Sequence, residues 1–132
     1  MDLQTARETA KGLGLKAPER YWEMPACDLT ALIGEGGCGP GEGWKEAIIP
    51  DTVWGLSITP SCAIHDYQYA MGKTEEDKIM ADLNFLGNMD LQVDKQTRIW
   101  PLKAVRHLRT VKYYEAVRLG GHVAFWTGKN HG

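Results

Sequence analysis

The sequence lacks the features that assign a chain to several common protein classes. It has three cysteines and no Cys-x-x-Cys pair, which argues against a thiolate zinc site. No apolar run reaches the ~20 residues of a membrane-spanning helix. The pattern G-x-x-x-x-G-K-[ST] is absent, which disfavours a nucleotide site. Because the chain has neither an internal repeat nor a Ser/Pro-rich linker, we expect a single domain, residues 1–132.

A strong charge of one sign and a secretory leader are also missing. A formal net charge of -2, with 43% apolar and 24% charged residues, is an ordinary globular composition. This near-neutral charge and the lack of a stacking-aromatic pattern disfavour a nucleic-acid partner. The N-terminus lacks the apolar centre of a secretory signal peptide. Either the protein is made without a signal peptide, or it is exported by another route, or the signal peptide is not included in this sequence. One disulfide would indicate an oxidising destination, and none would suit the cytosol.

Helical periodicity dominates what is present, so the expected fold class is mainly α. The pattern predicts helices over about 3–12, 28–33, 59–71, 74–86 and 102–119. For the helix that begins at 74, Gly87 either ends it or only weakens it. Residues 16–24 are expected to form an irregular arm, and only 122–126 alternates like a short strand. The turn MGKT is short, so the two helices that flank it should be antiparallel neighbours.

The stretch SCAIHDYQY groups four reactive side chains on one predicted helix. Cys62, His65, Asp66 and Tyr69 stand at i, i+3, i+4 and i+7 and therefore share a face. A thiol, a base, an acid and a phenol are an unusual set to bury without a function. The alternative is that His65 and Asp66 lie at the surface and that Tyr69 alone packs.

The next predicted helix carries an apolar stripe made of Ile79, Leu86 and Met89. Asp82 lies inside this stripe, where an unpaired charge would be very costly. A histidine or tyrosine of the facing helix would satisfy it, so we expect Asp82 to meet His65 and Tyr69. A carboxylate that holds one ring nitrogen leaves the other to take a proton from water. The alternative is a purely structural Asp82, bonded to Tyr69 or to the backbone.

The segment GEGGCGPGEG, residues 34–43, has six glycines in ten positions. A glycine-rich loop can turn several backbone carbonyls inward, and Ca²⁺ takes about 6–8 oxygen ligands. Carbonyls cannot neutralise the ion, but Asp66 can supply a carboxylate. The alternative is a phosphate-binding nest.

Positive charge is concentrated towards the C-terminus. Seven basic residues and one acid, Glu115, lie between Lys95 and Arg118. This pattern is that of a solvated basic face or of a docking surface for anionic headgroups.

Three segments together resemble the phospholipase A2 family: CGPG (38–41), CAIHDYQY (62–69) and ADLNF (81–85). In that family a calcium loop, C-G-x-G, precedes a helix with C-x-x-H-D-x-x-Y, and a second helix supplies another aspartate. The resemblance covers roughly residues 34–90. Gln68 stands where animal enzymes have a cysteine, and only a short turn joins the helices, so the chain is similar to the compact microbial and viral members.

The resemblance implies a role for each matched position. It identifies His65 as the general base, Asp82 as the aspartate that orients it, and Tyr69 as the tyrosine bonded to that aspartate. The N–H of Gly39 would help to hold the oxyanion. Calcium would be bound by the Asp66 carboxylate and by the carbonyls of Gly37, Gly39 and Gly41.

The resemblance also implies a disulfide and an activity. Cys38 would pair with Cys62, contributing roughly 3 kcal/mol in the chain-entropy model, and Cys27 would remain unpaired. The implied activity is Ca²⁺-dependent hydrolysis of the sn-2 ester of glycerophospholipids at a membrane or micelle surface, by a secreted, extracytoplasmic or particle-borne protein. The five tryptophans and the basic helix could serve docking, although core packing is the expected role of each tryptophan. The alternative is a non-catalytic, toxin-like or binding module that keeps calcium for structure.

Overall fold

A computed structural model describes residues 1–34, 50–127 and 129. In this part of the chain the fold is mainly α, as predicted, with one two-stranded antiparallel sheet. The elements in order are α1 (Leu3–Leu13), α2 (Glu19–Glu23), α3 (Ala26–Ile33), β1 (Thr52–Val53), β2 (Leu56–Ser57), α4 (Thr59–Met71), α5 (Glu75–Gln96), α6 (Trp100–Gly120) and α7 (His122–Trp126).

The pair of central helices, α4 and α5, is antiparallel as expected. Pro60 occupies the first turn of α4, and a capping box between Thr74 and Asp77 starts α5. Two hydrogen bonds between these helices show that they run in opposite directions. Ser61, early in α4, bonds Gln92, late in α5, and Gln68 bonds Asn84, which lies nearer the start of α5.

Several predicted boundaries are wrong. Helix α5 extends to Gln96, beyond the predicted end at 86, so of the two alternatives for Gly87 the correct one is that it weakens the helix without ending it. Residues 122–126 form helix α7, since Phe125 is buried against Tyr69, and not a strand. The arm at 16–24 contains α2. The hairpin of β1 and β2 was not predicted; its turn has positive φ at Trp54 (46°) and Gly55 (83°).

The buried face of α5 is rotated from the predicted stripe. Met89 is buried, but Ile79 is exposed and Leu86 only partly buried. The buried face consists of Lys78, Ala81, Asp82, Phe85, Asn88, Met89, Gln92 and Val93. Half of these side chains are polar, and hydrogen bonds to neighbouring segments compensate their burial. The expected burial of Asp82 is confirmed, although the residues around it differ.

Helix α4 is the shared wall of two apolar clusters. Cys62 and Tyr69 pack in one cluster with side chains of α5, α6 and α7, while Ile64 and Tyr67 pack in the other with α1 and α3. Both flanks of α4 are therefore covered by other helices. Across the described residues, no helix is both long and apolar enough to span a membrane.

An ionic clamp joins α5 to α6. The ring of His107 on α6 lies between two α5 carboxylates, with Nδ1 2.8 Å from Asp90 Oδ1 and Nε2 2.8 Å from Asp94 Oδ1. Partial burial lowers the pKa of His107, but the hydrogen bonds and charges of Asp90 and Asp94 outweigh it and raise the pKa above the usual value. The charged imidazolium is therefore the form that stabilises this helix pair.

Replacing His107 should make stability less dependent on pH. Because the pKa is raised on folding, the stabilisation is fully present below the unfolded value of about 6.5 and disappears as pH rises through the folded value. We expect the free energy of unfolding of His107→Gln to lie below that of the parent at pH 6, with a smaller gap at pH 8. Urea denaturation at both pH values measures it, with His122→Gln, an exposed histidine, as control. A gap that widens with pH would contradict the clamp.

Candidate active site

The carboxylate of Asp82, on α5, is the centre of the candidate site. Its Oδ1 accepts hydrogen bonds from His65 Nε2 (2.8 Å) and from the Tyr69 hydroxyl (2.6 Å), both on α4. Its Oδ2 accepts one from Lys78 Nζ at 2.7 Å. Burial raises the pKa of Asp82, but hydrogen bonds from His65, Lys78 and Tyr69 outweigh it and hold the pKa below the usual value. Asp82 is thus buried and ionised, and the predicted contacts with His65 and Tyr69 are present.

The contact with Asp82 decides the tautomer of His65. An ionised carboxylate oxygen can only accept, so His65 Nε2 carries the proton and Nδ1 carries the lone pair. Burial is the main reason why the pKa of His65 is lowered; Asp82 opposes the shift, and the charge of Lys78 adds to it. The ring also stacks on Phe85 with centroids 4.5 Å apart. His65 is therefore a neutral, oriented base at pH 7, and the reading that placed it at the surface is wrong.

Tyr69, which lies on α4 like His65, supports Asp82 of α5. Burial, followed by the nearby charge of Asp82 and the hydrogen bond to it, raises the pKa of Tyr69, so the phenol stays protonated and donates. Its ring contacts His65 and meets Phe125 of α7 edge to face, with centroids 5.2 Å apart. Its hydroxyl also lies against Gly121, where no side chain would fit. Helix α7 and the residue before it therefore fix the position of the phenol.

Asp66 stands apart from this network. The residue keeps some exposed surface, yet burial of its carboxyl group raises the pKa well above the usual value, and no described residue forms a hydrogen bond with it. The Tyr21 hydroxyl is buried and likewise lacks a partner among the described residues. Burial raises the pKa of Tyr21, and the Asp66 charge adds to the shift. A desolvated carboxylate without a partner among the described residues is suited to act as a ligand of a cation, because the bound ion would offset the cost of desolvation.

The other predicted ligands, Gly37, Gly39 and Gly41, lie outside the described residues, and so does Cys38. The carbonyl ligands, the oxyanion N–H and the Cys38–Cys62 bridge therefore stay predictions. Cys62 is buried on α4, and Cys27 is exposed and free. Within the described part of the chain, no three His, Cys, Asp or Glu side chains are placed to share a metal ion. The predicted calcium site has one carboxylate and several backbone carbonyls, so this result does not test it.

Sequence reasoning missed Lys78. Its ammonium group is buried against Asp82, and an i, i+4 spacing connects the two residues on α5. That spacing is a recognised signal for a helical ion pair. Spacing alone does not predict the burial of this pair, because the stretch EEDK is typical of an exposed first turn.

Comparisons of this chain with protein-family models, with curated proteins and with solved structures found no match.

Gly121 should be intolerant of a side chain, while Gly87 should accept one. A Cβ atom at Gly121 would overlap the Tyr69 hydroxyl, whereas none of the described atoms lies within 4 Å of a Cβ atom built at Gly87. We expect Gly121→Ala to lower the free energy of unfolding by about 1–3 kcal/mol. Gly87→Ala should raise it by roughly 0.5–1 kcal/mol, because alanine is the better helix former. Urea denaturation measures both, and equal effects would contradict the close approach at Tyr69.

Proposed function

We propose that the protein hydrolyses the sn-2 ester of glycerophospholipids in a Ca²⁺-dependent reaction, as a compact member of the phospholipase A2 type. The observation that carries the proposal is the buried group of His65, Asp82 and Tyr69, with Asp66 next to His65 on α4. A base held by a carboxylate, beside a second carboxylate that lacks a partner among the described residues, is the arrangement that the phospholipase A2 resemblance implies. It also suits activation of water next to a cation.

The proton movements follow from the tautomer of His65. Nδ1 takes a proton from water while the water oxygen bonds to the ester carbonyl carbon, whose π electrons move to the carbonyl oxygen. When that oxygen re-forms the double bond, the C–O bond to glycerol breaks, and the glycerol oxygen takes the proton back from Nδ1. Asp82 keeps Nε2 protonated throughout and stabilises the transient imidazolium. The products are a fatty acid, of the arachidonate type among others, and a lysophospholipid.

Asp66 would hold the cation, with the carbonyls of Gly37, Gly39 and Gly41 completing its ligands. When bound, Ca²⁺ polarises the ester carbonyl and offsets the negative charge that develops on its oxygen. The peptide N–H of Gly39 would donate to the same oxygen. Asp66 is suited to this role because none of the described side chains pairs with it, so its carboxylate remains available.

Docking to phospholipid is supported by an exposed surface on α6 and the hairpin. Trp54 and Trp100 are 55% and 77% exposed, so core packing is the wrong assignment for these two tryptophans. Trp54, Leu108, Arg109 and Lys112 line a shallow cavity of about 250 Å³. Apolar side chains next to cations suit the boundary between headgroups and acyl chains of an anionic bilayer. Arg106 is not available for docking, since it bonds Thr97 and the Trp54 carbonyl.

The rival function is a non-catalytic, calcium-stabilised module of the same fold. The low exposure of His65, 2%, favours it, because a general base must reach water and substrate. Both functions predict binding of calcium and lipid, but only the enzyme predicts hydrolysis of the lipid. An activity assay therefore separates them, and a binding assay does not.

Fatty-acid release from phospholipid vesicles should require both calcium and His65. We expect release by the parent in millimolar Ca²⁺ and none in EDTA. His65→Asn, which is close in size, should be slower by roughly 10²–10⁴-fold, because the general base is lost. His122→Asn is the matched control: His122 pairs with Glu75 outside the site and should retain the parent rate.

Two further results decide the assignment. Asp66→Asn should need a higher Ca²⁺ concentration for half-maximal release, because the ion loses its carboxylate. If His65→Asn releases fatty acid as fast as the parent, the mechanism is wrong. If the parent binds Ca²⁺ and vesicles but releases nothing, the non-catalytic module is the correct reading.

Vesicle binding should depend on the α6 surface. We expect Lys112→Glu to weaken partition onto anionic vesicles roughly tenfold, since each basic residue near the surface contributes about 1 kcal/mol. Lys11→Glu makes the same change in net charge at an exposed position of α1 and should have little effect. Cosedimentation at low and high salt measures both. Equal losses in the two variants would indicate a response to overall charge instead of docking through α6.

A further inference from the structure

Lys78 is a buried cation for which the proposed reaction has no direct use. Its side chain is 2% exposed, and its Nζ lies 2.7 Å from Asp82 Oδ2, 3.1 Å from the Val117 carbonyl and 3.3 Å from the Arg118 carbonyl. An ammonium group has three N–H donors and no acceptor. All three donors therefore have an acceptor, and the group holds one fixed orientation.

The two oxygens of Asp82 have separate partners. Oδ1 accepts from the imidazole and the phenol, and Oδ2 accepts from Lys78, which is the one cation that the described residues bring to this carboxylate. Removing one partner of a buried ion pair leaves the other charge uncompensated. Without Lys78, Asp82 would take up a proton or rotate, and either change disturbs the acceptor that faces His65 Nε2. Lys78 thus acts on the imidazole through the carboxylate.

We propose that Lys78 is a positioning residue, which keeps Asp82 ionised and oriented so that His65 retains its proton on Nε2 and its lone pair on Nδ1. The inference rests on the proposed function only for its effect on turnover. The effect on the imidazole holds whether or not the protein is an enzyme.

The same ammonium connects the site to α6. Val117 and Arg118 lie in the last turn of α6, where the helix dipole is negative. The Val117 carbonyl accepts a hydrogen bond from the Gly121 N–H as well as from Lys78. A cation is stabilised there independently of Asp82. The orientation of the carboxylate is therefore set by three helices, α4, α5 and α6, and not only by the two that carry His65 and Asp82.

The ring nitrogens of His65 give a direct test in the full chain without calcium or lipid. Two-dimensional ¹H–¹⁵N correlation spectra of the side chain distinguish the two neutral tautomers. We expect a single pattern with protonated Nε2 in the parent and a mixture of both tautomers in Lys78→Met. Lys95→Met is the matched control, because Lys95 is also on α5 and its ammonium group also donates to a backbone carbonyl of another segment, that of Leu13, away from the site. It should keep the parent pattern, and a parent pattern in Lys78→Met overturns the proposal.

A second measurement needs no substitution and covers the case in which Lys78→Met does not fold. A fixed ammonium exchanges its protons slowly, so its ¹⁵Nζ signal should be observable and correlated across the hydrogen bond with Asp82 Cγ in the parent. Absence of this correlation, with a freely exchanging ammonium in its place, overturns the proposal.

Kinetics provide the third arm. Lys78 is buried and does not touch lipid, so Lys78→Met should lower kcat about 10- to 100-fold with KM unchanged, as outer-shell partners of active groups typically do. A kcat equal to that of the parent overturns the proposal. If the parent itself shows no hydrolysis, the proposed function fails, while the imidazole spectra still decide the role of Lys78.

Discussion

The burial of one carboxylate, that of Asp82, organises the centre of the molecule. An isolated charge there would be strongly destabilising, and three donors from two helices remove that penalty. Each donor in turn requires its own support: His65 stacks on Phe85, Tyr69 lies against Phe125, and Lys78 reaches the end of α6. The packing of α4, α5, α6 and α7 is therefore coupled to a single ionised group.

Polar pairs along the rest of α4 and α5 extend the same principle. Gln92 bonds Ser61, Asn84 bonds Gln68, and Asn88 bonds the backbone of Lys16. Each bond forms only in one register, because a shifted helix would bury an unsatisfied amide. Apolar packing supplies the stabilisation between α4 and α5, and the pairs Ser61–Gln92 and Gln68–Asn84 select the alignment that brings His65 to Asp82. The bond of Asn88 fixes α5 against the segment after α1.

The two aspartates of the site have opposite electrostatics. Asp82 is fully partnered, and its pKa is lowered, whereas burial raises the pKa of Asp66 with no described partner to offset it. A structural carboxylate needs the first environment. A carboxylate buried without a partner among the described residues costs stability. This is the physical basis on which we propose a cation ligand for Asp66 and a supporting role for Asp82.

Local patterns in the sequence determined the helical class, the start of α5 at Thr74 and the meeting of His65, Tyr69 and Asp82. Helical spacing and a short turn suffice for these, since both act over a few residues. Tertiary contacts decided the rest. Gly87 does not end α5 because packing on both sides of it carries the helix onward. HVAFW is helical because Phe125 must reach Tyr69, and Lys78 is buried because Asp82 and the end of α6 provide acceptors for it. Propensity differences are small beside the free energy of burying a side chain or pairing a charge, so wherever the two conflict, the packed structure prevails.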